Sequence, residues 1–181
     1  MRFVRALFLV VMLTMPKVAG ATIVVAADLG ELSHDARAIA VGHVLAVDGR
    51  WTDDRQAIET IVTLGVDHYL KGSLGSTVQF RIAGGRLGRY RSVVVGAPNF
   101  AVDQRIVVFL GATGPMIPYV VGFNQGVYRI VAASDGSAVV TPPPMLPAAT
   151  VSARIVRGDP SRKPMPLMDF ETRVRALAGS K

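Results

Sequence analysis

The sequence predicts a single antiparallel β-barrel with a C-terminal amphipathic helix, and three observations carry that expectation. Seven or eight short segments of strand length follow one another, each ended by glycine, proline or aspartate. No long helical pattern alternates with them, which argues against a doubly wound α/β fold. Beyond the last of them a proline cluster breaks the pattern, and Leu167, Phe170, Val174 and Leu177 then recur at spacings of three and four, the apolar stripe of one helix.

The chain begins with a different grammar. Arg2 and Arg5 form a basic start, residues 6–15 are apolar apart from Thr14, and Pro16 precedes the small-residue triplet Ala19-Gly20-Ala21. This is the three-part pattern of a secretory signal peptide over 1–21, cut from the exported protein. Pro16 and Lys17 end the apolar run at roughly half the ~20 residues that a spanning helix needs. The address is periplasmic or extracellular. There is no cysteine, so neither a lipoprotein anchor nor a disulfide is available and the exported domain must be held by packing. Its 160 or so residues suit one core. The formal charge of +7 also falls on export: Arg2, Arg5 and Lys17 leave while all 13 acidic residues stay, so seventeen basic against thirteen acidic side chains give +4. That balance is ordinary for a soluble domain and gives no reason to expect a nucleic-acid partner.

Residues 29–36 read as a short helix or turn delivering the chain into the first strand. In 37–48, Ile39, Val41, Leu45 and Val47 alternate with Ala38, Ala40, Gly42 and Ala46, the period of a strand with one face in the core. A polar turn around Asp53-Asp54 leads to a second strand over 57–70, so the two make a hairpin. Over 77–83, Val78, Phe80 and Ile82 point inward and Gln79 and Arg81 outward. The glycine-rich 84–88 breaks the pattern before a strand over 89–95, and Pro98 marks the corner at 96–100. Residues 104–110 are nearly all apolar, as in a central strand covered on both faces. A pair over 119–123 and 127–131 and a short strand over 138–141 complete the barrel domain, 22–141. Residues 142–166 are expected to form an extended, proline-rich connector that packs as neither sheet nor helix, followed by the helix over 167–178, which is expected to dock on the barrel.

The segments Ala40-Val41-Gly42-His43-Val44, Leu70-Lys71-Gly72, Gly84-Gly85, Gly96-Ala97-Pro98-Asn99-Phe100, Val107-Val108-Phe109-Leu110 and Val121-Gly122-Phe123-Asn124-Gln125-Gly126 together resemble a group of uncharacterised exported bacterial β-barrel domains, some of them linked to secreted metalloproteases. The resemblance spans about 38–131 and implies architecture. Residues 38–72 also look like the netrin-like, OB-type barrel of tissue inhibitors of metalloproteinases. Those inhibitors reach the protease zinc through an N-terminal cysteine. This chain has none, so the likeness implies shape alone.

Catalytic patterns are sparse. The three histidines, His34, His43 and His68, form no His-Glu-x-x-His pair. A hairpin closing symmetrically about Asp53 would set His43 opposite residue 62, away from His68. Asp53 and Asp54 suit turn chemistry, and Glu59 and Asp67 are expected on an outward strand face. The Gly84-Gly85-Arg86-Leu87-Gly88 loop precedes no helix and so lacks the setting of a phosphate cradle. What stands out is a basic and aromatic set, Arg81, Arg86, Arg89, Tyr90, Arg91 and Phe100, with Arg105 as an outlier. OB-type barrels bind extended ligands on such surfaces, although a solvated basic sheet edge has the same composition. The expectation is therefore a non-enzymatic exported binding module that needs no cofactor or metal and takes a protein or an anionic envelope component. A protease-associated inhibitor or pro-domain is the alternative, and a small hydrolase with an unrecognised site a second one.

Overall fold

A computed structural model describes residues 27–114, 116–143 and 163–179. The expected signal peptide and most of the expected connector lie outside the described residues. Among the described residues the protein is mainly β, with two short helices. In chain order the elements are α1 (Leu29–Asp35), β1 (Ala38–Trp51), β2 (Ile58–Lys71), β3 (Thr77–Ala83), β4 (Gly85–Leu87), β5 (Tyr90–Ser92), β6 (Arg105–Gly111), β7 (Tyr119–Val120), β8 (Val127–Ala132), β9 (Ala138–Thr141), β10 (Met165–Pro166) and α2 (Leu167–Gly179).

The main sheet runs β1-β2-β3-β7-β6-β8-β9-β10, and β1 also pairs with β6. Following the ladders from β1 through β2, β3, β7 and β6 therefore leads back to β1. All are antiparallel except β3 with β7, where Arg81 lies opposite Tyr119 in a parallel pairing. β6 is the hub. It pairs with β1, β7 and β8, and its residues 106–110 are fully buried, as its unbroken apolar run requires.

The two faces of the sheet bury different cores. One cluster gathers Ala40, Val44, Val62, Leu64, Phe80, Val108 and their neighbours from β1, β2, β3, β6, β7 and β8. The other sets Ile39, Val41, Val107, Phe109 and Tyr128 against Leu29 and Leu32 of α1 and Phe170 and Val174 of α2. α1 is fixed by a capping box in which Glu31 N–H donates to Asp28 Oδ1 at 2.7 Å and Asp28 N–H donates to Glu31 Oε2 at 2.9 Å. At its other end Lys71 Nζ donates to the Ser33 and His34 carbonyls at 2.7 and 2.9 Å, satisfying groups that a helix C-terminus leaves open. The Leu70-Lys71-Gly72 motif thus ties β2 to α1. α2 docks through its stripe, with Phe170 4.8 Å from the Tyr128 ring, and His68 Nε2 meets Glu171 Oε1 at 2.9 Å.

Several expectations need correction. β1 has both faces buried over 38–41, whereas Leu45 and Val47 are exposed. Register shifts fall between Ile39 and Ala40, between Val41 and Gly42 and between Val44 and Ala46, and the last, which passes over Leu45, reverses the parity on which the alternation rested. The hairpin closes about 54–55, with Trp51 opposite Ile58, rather than about Asp53, and His43 therefore lies opposite Gly65 rather than residue 62. Glu59 faces inward, not outward, and is buried in an ion pair with Arg50 directly across the ladder. The strand expected over 89–95 stops at Ser92, and that over 119–123 stops at Val120, where a turn over 121–126 takes over. Met165–Pro166, assigned to the connector, pair with Val140 and Val139. Proline is tolerated there because β10 is an edge strand.

Candidate functional site

The site grows from the point where β3 leaves the main sheet. Gly85 adopts φ +148°, and a Cβ on it would collide with Thr60 Oγ1, so glycine alone lets the chain pass this close to β2. Thr60 Oγ1 donates to the Gly84 carbonyl at 2.7 Å and pins the crossing. β4 and β5 then form a separate two-stranded hairpin, Gly85 opposite Ser92, Arg86 opposite Arg91 and Leu87 opposite Tyr90. The two loop residues are Gly88 and Arg89. Gly88 has φ +57° and Arg89 does not enter the left-handed region, the pattern of a type II′ turn.

Alternation along this hairpin sorts the candidate residues. Arg86 and Arg91 share one face. Tyr90 lies on the other, its ring 5.5 Å from that of Trp51 at the end of β1. Arg89 leans on Tyr90, with its guanidinium carbon 5.0 Å from the ring centroid and Nη2 donating to the phenol oxygen at 2.8 Å. Arg86, Arg89 and Arg91 all line a groove of about 970 Å³, together with Val93, Val94 and Val95. Among the described residues no carboxylate lines it. Among the described residues the arginines held in ion pairs are Arg50, Arg105 and Arg175, and none of the hairpin arginines is among them.

The remaining candidates lie elsewhere. Arg81 lines a neighbouring, mainly apolar cleft of about 540 Å³ with Ile58, Glu59, Val120 and Phe123. The two hollows share a wall at 82–84, Ser92, Val94 and Pro98. Phe100 turns away from both and packs edge-on against Phe80, centroids 5.5 Å apart, on the rim of the core. Arg105 stands on β6, 3.4 Å from Asp67, which also meets His43 Nδ1 at 3.4 Å. The structure therefore unites Arg86, Arg89 and Arg91 in one groove and sets Arg81 beside it.

Sequence reasoning missed two contributors. Arg129 of β8 donates to the Asn99 carbonyl at 3.3 Å and so holds the far end of the groove loop; only the β6–β8 register brings it there. Trp51 needed only its place at the end of a strand to be noticed, but its partner Tyr90 comes from a different hairpin. Among the described residues no three His, Asp or Glu side chains gather as a metal ion would require. The carboxyls of Asp54 and Asp135 are held below the usual aspartate range, Asp54 first by the Thr52 hydroxyl and then by the Gln56 N–H, and Asp135 by the hydroxyl and N–H of Ser137. Both sit in turns away from the groove. Comparison with protein-family models, with curated proteins and with solved structures finds no match to this chain.

Proposed function

We propose that the protein is an exported, non-enzymatic binding module built as an OB-like barrel, and that it takes an anionic partner in the groove of Arg86, Arg89 and Arg91. The single observation that carries this reading is the facing pair Arg86 and Arg91 in a groove that no carboxylate lines among the described residues. Like charges directly opposite on a ladder are unfavourable, and an anion bridging them removes that cost while gaining charge-assisted hydrogen bonds. The circuit of ladders β1-β2-β3-β7-β6-β1, with its parallel β3–β7 pairing, supports the barrel. The basic, apolar and small-residue order of 1–21 supports export, in which case the working chain begins at Thr22.

Retention on a dextran sulfate resin tests the binding. The wild-type protein is expected to elute late and to lose retention as salt rises, and the variant carrying Arg86→Ala, Arg89→Ala and Arg91→Ala is expected to pass through with an unchanged melting temperature. Retention of the triple variant equal to wild type would refute the reading. Export is checked by the intact mass of protein recovered from the periplasmic fraction, which is expected to correspond to a start at Thr22.

A further inference from the structure

We infer that the anionic partner is the surface of a lipid bilayer, with the arginines meeting lipid phosphates while the tip formed by Val93, Val94 and Val95 enters the acyl boundary. This rests on the anion-binding reading and adds to it the one feature that a soluble anion leaves unexplained. Val93 is 68 % exposed and Val95 80 %, in a run of three valines beside the basic hairpin. Three consecutive exposed apolar residues work against a protein that stays in water.

The run is presented by a built turn. Ala97 N–H donates to the Val94 carbonyl at 3.2 Å, and Gly96 has φ +82°, the geometry of a type II turn with Val95 at its first central position. Ala97 packs on the core beneath, and the Arg129 bond to Asn99 fixes the descending side. Val95 is thus held out at the apex. On the hairpin's other face Tyr90 meets Trp51 at the end of β1, two exposed rings with one apolar and one polar end, the kind enriched where hydrocarbon meets headgroups.

A sulfated dextran or a phosphorylated sugar would satisfy the arginines and leave the valines wet. An anionic bilayer satisfies both at once. Each basic residue near such a surface strengthens binding about fivefold, and burial of the valine methyls adds an apolar contribution that salt does not screen. Asp53 and Asp54 lie in the turn just beyond Trp51, so the docking face ends there.

Flotation with vesicles of phosphatidylcholine and phosphatidylglycerol in equal parts, against phosphatidylcholine alone, tests the inference, with dextran sulfate retention run in parallel. All variants share one N-terminus, so differences among them report on the hairpin and its loop. Wild type is expected to float with the mixed vesicles only. Val93→Ser with Val95→Ser, which keeps every arginine, is expected to weaken vesicle binding by about tenfold or more and to shorten dextran sulfate retention far less than the triple arginine variant does. The triple arginine variant is expected to lose both. Vesicle binding by the valine variant equal to wild type overturns the lipid inference and leaves the anion reading standing, as does wild type held on dextran sulfate but absent from vesicles. Capture of one stoichiometric protein partner, lost in the valine variant while vesicles are ignored, would reassign the tip to that partner. Retention of the arginine variant on dextran sulfate overturns the anion reading itself.

Discussion

Arg86 and Arg91 stand directly opposite each other on the β4–β5 ladder, in a groove lined by no acidic side chain among the described residues. The pairing has opposite consequences for folding and for binding. Arg91→Thr should raise stability by about 0.5 kcal/mol, because a like-charge cross-strand pair becomes a neutral one that suits a strand. The same change should shorten retention on dextran sulfate. Urea melts and elution position read the two effects separately, and a loss of stability in step with a loss of binding would contradict this account.

Glu59 and Arg50 are unequal partners. The carboxylate is nearly covered while the guanidinium is almost half open to water, and they are joined by the Nε–Oε1 bond at 2.8 Å. Arg50→Ala leaves a buried charge without compensation and should cost about 2 kcal/mol. Glu59→Gln keeps an acceptor for an arginine that water can serve, and should cost under about 1 kcal/mol. Chemical denaturation of the two single variants and the double variant measures the asymmetry.

Phe170 is the main anchor of α2, buried against Tyr128 and clustered with both helices. Phe170→Ala should cost about 3 kcal/mol through lost transfer and the cavity left behind. The loss should appear as early amide exchange in α1 as well as α2, since the two helices share that core.

Gly85→Ala forces a Cβ against Thr60 and a left-handed φ on a residue that avoids it. A cost of about 2 kcal/mol is expected, together with loss of the Thr60 bond to Gly84. Because Thr60 pins the hairpin, dextran sulfate retention should fall although no arginine has changed.

The β1–β2 turn should weaken in acid. Asp54 accepts from Thr52 Oγ1 at 2.6 Å and from Gln56 N–H at 3.1 Å, and its ionised form is favoured in the folded state. Its contribution is therefore complete above the ordinary aspartate value, about pH 4, and disappears as pH falls through the lower folded value. Asp54→Asn should increase amide exchange at Gln56 near neutral pH and make no difference once the wild-type carboxyl is protonated.

How much of this was legible in the sequence depended on whether a residue's role is local. β3 could be read outright: Val78, Phe80 and Ile82 are buried and their neighbours are not, because one face meets the core throughout. β6 was legible for the opposite reason, since two covered faces leave no period to misjudge. β1 lies between two cores and is bulged, so a period of two carried along it assigns Leu45 and Val47 to the wrong side. Glu59 could not be placed without the register that sets Arg50 across from it. In the groove, three valines in a row have strand propensity but find no partner strand after Ser92, and propensity alone does not supply one. The basic hairpin was legible as composition. Its exclusion of Phe100 and Arg105 was not, for the core claims one and Asp67 the other.

The return of the ladder circuit to β1 also governs when folding can finish. The β1–β2 hairpin closes over a short turn, but Ala38 meets Leu110 only across most of the described β region. Such remote pairing requires loop entropy to be lost before burial repays it, and it slows folding. Under the export proposed above, that delay would keep the chain threadable while it leaves the cytoplasm. β6 must be in place before the ladder circuit can return to β1, so commitment to a compact state waits for residues far from the first hairpin.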